Sequence, residues 1–172
     1  MNENITYTAF TKKNKGKINR LISDVVVKNR NNTVLVQALW DTGATITSIS
    51  EQVVTDLALK PTGKTTLSTP AGSVDVNTYL VDIILSKYAR INDLMVCDSK
   101  IGEQGIGVLI GMDIITQGDF AISNFNVNTV FSFRVPSKEV TDYELEIRIS
   151  NLTGKHGLGK RKKNRNKNKW YK

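Results

Sequence analysis

The chain has 172 residues, of which 40% are hydrophobic, and this suits one folded core with tails rather than a disordered chain. The net charge is +8, but nine of the 24 Lys and Arg residues lie in residues 155–172, and the remainder is close to neutral. The charge therefore does not indicate a nucleic-acid-binding body, and no apolar run approaches the roughly 20 residues of a membrane span.

Targeting and redox signals are equally sparse. The opening residues MNENITYTAF lack the basic start and the apolar stretch of a secretion signal, so we expect a cytoplasmic protein. Cys97 is the single cysteine, which makes an internal disulfide impossible and suggests a small core residue. His156 is the single histidine and lies in the basic tail, so we expect no metal and no other cofactor.

The first half of the chain predicts a hairpin followed by a helix. Residues 1–17 are polar and rich in Lys and Asn, which predicts a flexible segment unless it joins a sheet or a partner. The runs LISDVVVK and TVLVQALW flank a Lys-Asn-Arg-Asn-Asn cluster and predict a β-hairpin whose second strand ends at Asp41. The segment EQVVTDLAL then predicts a short helix with Ser50 as its N-cap.

The second half returns to strands. TTLSTP and VDVNTYLVDIIL predict a long hairpin that turns at Ala71-Gly72-Ser73, and INDLMVCD predicts a further strand. VLI predicts a short buried strand that leads into Gly111-Met112-Asp113 and a helix-like IITQGD. FAISNFNVNTVFSFRVP predicts a closing hairpin turned near residues 126–128, so the folded body is expected to span residues 18–136.

Two segments follow the predicted body. TDYELEIRIS alternates at period two, so residues 137–150 are interpreted as an extra strand at a sheet edge or a dimer contact. Residues 151–172 cannot bury a core and predict a basic, disordered tail. That tail, which carries Trp170 and Tyr171, is either a solubilising extension or a weak contact surface for nucleic acid.

The tripeptide Asp41-Thr42-Gly43 is the strongest chemical signal in the chain. A carboxylate at the end of a buried strand costs several kcal/mol of desolvation unless its charge is shared or hydrogen-bonded. It becomes a catalyst when a second carboxylate lies beside it, because two acids in contact share one proton. The sequence holds one such motif and no internal repeat, so the second carboxylate must come from a second copy of the chain.

Three motifs, in this order, resemble the retropepsin-like aspartic proteases, especially the bacterial members. They are WDTGATITSIS, the hairpin STPAGSVDVNTYLVDI and the later VLIGMDIITQGDFAIS. The resemblance covers residues 21–136 and implies an all-β, mainly antiparallel closed barrel of the acid-protease fold, with one or two short helices. It also implies a homodimer that hydrolyses peptide bonds in an extended polypeptide substrate, with one Asp-Thr-Gly from each subunit at the two-fold axis.

The resemblance assigns roles to residues of this chain. Asp41 would be the catalytic carboxylate, supported by Thr42, Gly43 and Ala44 in its own loop. The later motif would pack behind that loop through Leu109, Ile110 and Gly111. The hairpin tip would form a flap over the substrate, made of Pro70, Ala71, Gly72 and Ser73.

The chain departs from the retroviral pattern at two positions. Retroviral members carry an Asp two residues after the Gly of the first motif and an Arg after the Gly of the second, and these two pair. Here the positions hold Thr45 and Met112, so that ion pair is absent. Trp40 is also larger than the usual aliphatic residue, and strand alternation predicts that it turns away from Asp41.

Plainer interpretations stand beside each of these roles. Asp41 would otherwise be a capped turn carboxylate, Gly72 an ordinary hairpin glycine, and Asp113 a helix N-terminal carboxylate rather than a catalyst. Ser48 and Ser50 have no histidine to activate them. Alternatives to the endopeptidase are a catalytically silent dimeric module that binds nucleic acid by its tail, and a self-processing enzyme that cleaves that tail.

Overall fold

The structure is a computed structural model that describes residues 6–69 and 72–153. The chain divides into two compact units, Met1–Lys138 and Glu139–Lys172. The first unit contains all the strands found in the described residues, together with two short helices. It takes in residues N-terminal to the expected boundary at residue 18.

The elements follow the order that the sequence patterns suggest, except for additional strands at residues 8–13 and 48–50 and a helix in place of the strand expected after residue 136. The strands are β1 (Thr8–Lys13), β2 (Ile22–Asn29), β3 (Asn32–Trp40), β4 (Ser48–Ser50), β5 (Gly63–Thr69), β6 (Gly72–Ile84), β7 (Arg90–Ser99), β8 (Val108–Ile110), β9 (Asp119–Ser123) and β10 (Val130–Val135). The helices are α1 (Glu51–Asp56), α2 (Met112–Ile115) and α3 (Tyr143–Leu152), with 3₁₀ turns at Gly102–Gln104 and Phe125–Val127.

Six strands close into a barrel. The larger sheet has the order β2-β3-β8-β4-β7-β6-β5, and β2 also pairs with β6 through Val26 and Ile84, which joins the ends of the six-stranded ring. Most pairs are antiparallel, while β3 with β8 and β4 with β7 run parallel. Closure satisfies the backbone groups that an open edge would expose. The predicted all-β, mainly antiparallel, closed-barrel fold with short helices is thereby confirmed.

Alternating side chains fill the barrel. In the β2–β3 hairpin, Val25 and Val27 point inward together with Ala38 and Trp40, while Asp24 and Leu35 are exposed. The turn places Arg30 at φ 53°, in the left-handed region, between the paired residues Asn29 and Asn32. Burial of these β-branched and aromatic side chains is the main stabilising contribution to the barrel.

The N-terminal segment is not wholly flexible, which corrects one expectation for residues 1–17. Residues 8–13 form β1, which pairs antiparallel with β10 in a three-stranded sheet completed by β9. Phe10 anchors the strand, since its ring centroid lies 5.3 Å from that of Trp40 and 6.0 Å from that of Phe131. One half-buried aromatic ring packed on the core and a full ladder of backbone hydrogen bonds thus outweigh the polar composition.

The interpretation of residues 137–150 as an extra strand is wrong, because residues 143–152 form the helix α3 in the second unit. Asp142 caps its N-terminus, where its carboxylate accepts a hydrogen bond from the Leu145 amide at 2.9 Å. Glu144 and Glu146 lie in the first turn, where the helix dipole favours negative charge. Capping and helix-forming residues therefore outweigh the period-two alternation. The tail beyond residue 153 lies outside the described residues.

Candidate active site

Asp41 lies at the point where β3 leaves the barrel. Trp40 is paired with Ile110 in the parallel β3–β8 register, and the Asp41 amide donates to the Ile110 carbonyl at 2.9 Å. Ile110 is fully buried, whereas Asp41 is half-buried, so the carboxylate is at the boundary between core and solvent. The structure thus brings the two sequence motifs together at one corner of the barrel.

A tight turn orients the Asp41 carboxylate. Its Oδ1 atom accepts a hydrogen bond from the Gly43 amide at 2.8 Å, and the Ala44 amide donates to the Asp41 carbonyl at 3.3 Å. A Cβ atom on Gly43 would lie 3.2 Å from the same Oδ1, which is tighter than an ordinary contact. Thr42 and Gly43 are exposed. The turn therefore presents a carboxylate, a hydroxyl and bare backbone at the surface of one chain.

Trp40 turns away from this carboxylate, as strand alternation predicts. The indole is 4% exposed, and its Nε1 donates to the Ser23 hydroxyl at 3.0 Å. Its ring stacks on Phe120 with centroids 5.1 Å apart. Four aromatic rings surround it: Phe10, Phe120, Phe131 and Phe133. This cluster anchors the end of β3 immediately before the site.

Gly111 packs directly behind the Asp41 turn. A Cβ atom at this position would lie 2.8 Å from the carbonyl carbon of Ile46 and 3.0 Å from the carbonyl oxygen of Ala44. Because these are backbone atoms, they cannot move aside as a side chain does. The next residue, Met112, donates its amide to the Ala44 carbonyl at 2.8 Å. Ile110 and Gly111 therefore contact the Asp41 turn, while the supporting role of Leu109, Ile110 and Gly111 stays a prediction.

A hydrogen-bonded pair that sequence reasoning missed ties the same loop to α2. Asp113 accepts from the Thr47 amide with Oδ2, at 2.9 Å, and from the Thr47 hydroxyl with Oδ1, at 2.6 Å. The Thr47 hydroxyl in turn accepts from the Gly111 amide at 3.0 Å. Asp113 does lie in the first turn of α2, as expected, but its carboxylate also contacts the other motif. Thr47 lies two residues after Thr45, and Asp113 lies one residue after Met112.

The predicted long hairpin is present, and it lies in the chain between the Asp41 motif and the Gly111 motif. β5 pairs with the first half of β6 from Gly63 opposite Thr78 to Thr69 opposite Gly72. Gly72 has φ 119°, a conformation that strains residues with a side chain. Ser73 is exposed and pairs with Ser68, while the predicted flap residues Pro70 and Ala71 lie outside the described residues. A flap function for this hairpin stays a prediction.

A half-buried carboxylate marks the root of that hairpin. The β6–β7 ladder reaches Thr78 opposite Cys97, and beyond it Asp98 accepts from the amide and the side chain of Asn77 at 2.9 and 3.0 Å. Tyr79 donates its hydroxyl to Asp98 at 3.1 Å. Burial, and secondarily the nearby Asp98 charge, raises the pKa of Tyr79. Asp98 therefore fastens the strand where it leaves the barrel.

Two other side chains that could act as nucleophiles, Cys97 and Ser50, have structural roles. Cys97 is 1% exposed, as expected of a core residue, and burial raises the pKa of its thiol, which keeps the thiol uncharged. Ser50 caps α1, since its hydroxyl accepts from the Val53 amide at 3.3 Å, as predicted. Neither side chain has the setting of an activated nucleophile.

Within residues 6–69 and 72–153 no group of three or more His, Cys, Asp or Glu side chains has a metal-binding arrangement. His156 lies outside these ranges. No helix in the described part of the chain is both long and apolar enough to cross a membrane.

A family match now identifies the class of protein. The sequence model described as "gag-polyprotein putative aspartyl protease" matches residues 27–117, which is more than half of the chain. Asp41, the β5–β6 hairpin and Gly111 all lie inside this range. The chain therefore belongs to the retropepsin-like aspartic protease family.

Several solved structures are similar to this chain. EIAV protease in complex with the inhibitor HBY-793 is 21% identical, with a TM-score of 0.43 over 56% of this chain and 85% of that one. A retropepsin-like aspartic protease from Rickettsia conorii is 11% identical, with a TM-score of 0.48 over 76% and 94% of the two chains. The retroviral protease-like domain of Ddi1 from Leishmania major is 17% identical, with a TM-score of 0.42 over 72% and 100%. No curated protein sequence matches the chain.

Proposed function

We propose that this chain is a homodimeric aspartic endopeptidase in which two Asp41 carboxylates, one from each subunit, activate a water molecule. The observation that carries the proposal is the Asp41 turn, a half-buried carboxylate held by the Gly43 amide where β3 ends. Family membership supports the assignment, and the sequence contains one Asp-Thr-Gly motif, so a pair of carboxylates requires two chains.

The chemistry follows from two carboxylates that share one proton. The ionised Asp41 takes a proton from water, and the water oxygen attacks the scissile carbonyl carbon while the protonated Asp41 donates to the carbonyl oxygen. Collapse of the tetrahedral intermediate breaks the C–N bond as a proton passes to the leaving amine. Each proton transfer of this type contributes about 10²- to 10⁴-fold to the rate. The mechanism requires no metal and no covalent intermediate.

The surrounding residues take supporting roles in the proposal. Thr42 bonds across the two-fold axis to its counterpart, Gly43 lets the substrate backbone approach, and Ala44 accepts from the Met112 amide. Leu109, Ile110 and Gly111 hold the turn from behind.

The substrate of this proposed enzyme is an extended peptide. It binds beneath the β5–β6 hairpin by strand addition, with the tip formed by Pro70, Ala71, Gly72 and Ser73 closing over it. Closure adds main-chain hydrogen bonds and excludes water from the carboxylates. Side chains along the hairpin then select among peptide sequences.

Substitution of Asp41→Asn tests the proposal, because asparagine keeps the shape of the side chain and removes the general base. Wild-type protein and the variant are incubated with a proteome-derived peptide library, and cleavage is read by mass spectrometry. Asp24→Asn is the matched control, since the Asp24 side chain is 61% exposed on β2. We expect cleavage by wild type and Asp24→Asn, and none by Asp41→Asn.

Two results would contradict the endopeptidase. One is cleavage that persists in Asp41→Asn. The other is a folded wild type that cleaves no peptide but binds nucleic acid in a salt-dependent way that is lost on deletion of residues 155–172, which would support the binding module instead.

A further inference from the structure

We propose that Thr47 and Asp113 are positioning residues, which act through the backbone to hold the Asp41 loop in its reactive geometry. The inference rests on the proposed function for its catalytic consequence, but the contacts themselves do not depend on it. In the proposed mechanism, neither side chain touches the reacting atoms.

The hydroxyl, the amide and the carbonyl of Thr47 all form hydrogen bonds. It is fully buried, its hydroxyl donates to Asp113 at 2.6 Å and accepts from the Gly111 amide at 3.0 Å, and its amide donates to the second Asp113 oxygen at 2.9 Å. Its carbonyl accepts from the Cys97 amide at 3.2 Å, which links it to β7. A buried hydroxyl with both donor and acceptor roles filled has one orientation, so it transmits position.

Asp113 depends on neutral donors. Its carboxylate is half-buried and accepts from Thr47 and from the Ile114 amide at 3.0 Å. Among the described residues, no Lys or Arg forms an ion pair with it. Because burial penalises a carboxylate that loses hydrogen bonds, removal of a single donor disturbs the whole contact.

The same short segment holds the Asp41 loop along its whole length. Residues 110–113 accept from the Asp41 amide, donate to the Ala44 and Thr45 carbonyls, and bind Thr47 by the contacts above. The loop from Asp41 to Thr47 is therefore fixed at its start, middle and end by consecutive residues. Loss of the contact at Thr47 frees the end of the loop, and the close packing of Gly111 on Ile46 is lost with it.

The matched variants are Thr47→Val and Thr47→Ser. Valine has the shape of threonine without the hydroxyl, while serine keeps the hydroxyl and loses one methyl group. Amide hydrogen exchange of the Gly111, Met112 and Ala44 amides, compared with the β1–β10 ladder, reports the effect without reference to activity. We expect these loop amides to exchange about tenfold faster or more in Thr47→Val, with little change in Thr47→Ser or in the ladder.

Kinetics supply the catalytic arm of the test, with the library peptide that the wild type cleaves best. We expect Thr47→Val to lower kcat by about tenfold or more, up to on the order of 10²-fold, because small misplacements of reacting groups have this cost. KM should change little, and Thr47→Ser should retain most of kcat. Asp113→Asn replaces one of the two acceptor oxygens with a donor, so it breaks at least one of the two Thr47 bonds from the other side, and it replaces Thr47→Val if that variant fails to fold.

Several outcomes would overturn the inference. One is exchange of the loop amides at the wild-type rate in both Thr47→Val and Asp113→Asn. Another is amide exchange that becomes faster by the same factor in the loop and in the β1–β10 ladder, because this would indicate general destabilisation of the fold. A third is an equal loss of kcat in Thr47→Ser. A wild type that cleaves no peptide would contradict the proposed function, while the exchange comparison would still decide whether the pair holds the loop.

Discussion

At the scale of single residues, the site depends on how closely two backbone segments approach. Gly43 leaves room for the Asp41 carboxylate, and Gly111 lies against the carbonyl groups of Ala44 and Ile46. The difference between the two glycines is in the atoms that a methyl group would meet. A carboxylate can rotate, whereas a backbone carbonyl in a hydrogen-bonded loop cannot, so the two positions should differ in their tolerance of substitution.

Gly111→Ala should destabilise the protein. The added Cβ would lie 2.8 Å from a backbone carbon, and overpacking of this kind costs about 1 to 3 kcal/mol of unfolding free energy. The control is Gly102→Ala, where the nearest atom to a new Cβ is the Ser50 Cβ at 3.5 Å. Urea denaturation measures both, and equal stabilities of the two variants would contradict the packing argument.

The hydrogen bonds to Asp119 predict that the stability of the fold depends on pH. Hydrogen bonds from the Ser137 hydroxyl, the Lys138 amide and Arg134 hold the pKa of this carboxyl well below its ordinary value. A carboxyl with a lowered pKa stabilises the fold above the pKa of the unfolded chain, and this stabilisation is lost as the pH falls. Asp119→Asn should therefore be less stable than wild type at pH 7, and the difference should shrink as the pH falls below about 4.

The same pair of proteins can be compared by thermal denaturation across this pH range. Asp24→Asn serves as the control, because Asp24 forms one exposed ion pair, with Lys12 at 3.6 Å, and such pairs contribute little. A difference between wild type and Asp119→Asn that stays constant with pH would contradict the argument.

At the scale of elements, the β5–β6 hairpin is fastened at its root by Asp98. Asp98→Asn replaces one acceptor oxygen with a donor that faces the Asn77 amide group or the Tyr79 hydroxyl, so at least one of the three hydrogen bonds weakens. Exchange of the hairpin amides of residues 64–68 should become faster, while the β2–β3 ladder should not change. Hairpin exchange at the wild-type rate would show that Asp98 does not fasten it.

The elements also show what sequence reasoning captures. Hairpins with clear alternation and turn residues were predicted correctly, as was the Ser50 cap of α1. The sequence does not predict β1, because its stability comes from a partner strand more than a hundred residues away and from Phe10, its one aromatic ring, which packs on the core. The period-two alternation of α3 predicts a strand, whereas the Asp142 cap and the acidic first turn favour the helix that the structure has.

In the candidate site too, some residues can be predicted from the sequence and others only from the fold. Asp41 and Gly111 could be found from local motifs, because a strand-end carboxylate and a glycine before a helix are visible in short windows. The contact between Thr47 and Asp113 joins residues 66 positions apart, and neither residue is unusual in its own window. It forms only when the barrel brings β4, which directly follows Thr47, alongside β8, which directly precedes α2.

At the scale of the whole molecule, the proposed active site requires two chains. Each chain supplies one Asp-Thr-Gly turn, so a subunit with Asp41→Asn should silence the intact subunit with which it pairs. The activity of a monomeric enzyme and that of a dimeric enzyme respond differently when inactive chains are mixed in. Subunit mixing is therefore more informative than the loss of activity in a pure variant.

The most direct measurement is therefore peptidase activity in mixtures of wild-type and Asp41→Asn chains, equilibrated at constant total concentration and above the dimer dissociation constant. If one carboxylate from each chain is required, activity follows the square of the wild-type fraction and falls to about a quarter in an equal mixture. A linear fall, to about half in that mixture, would show that each chain works alone and would contradict the shared site.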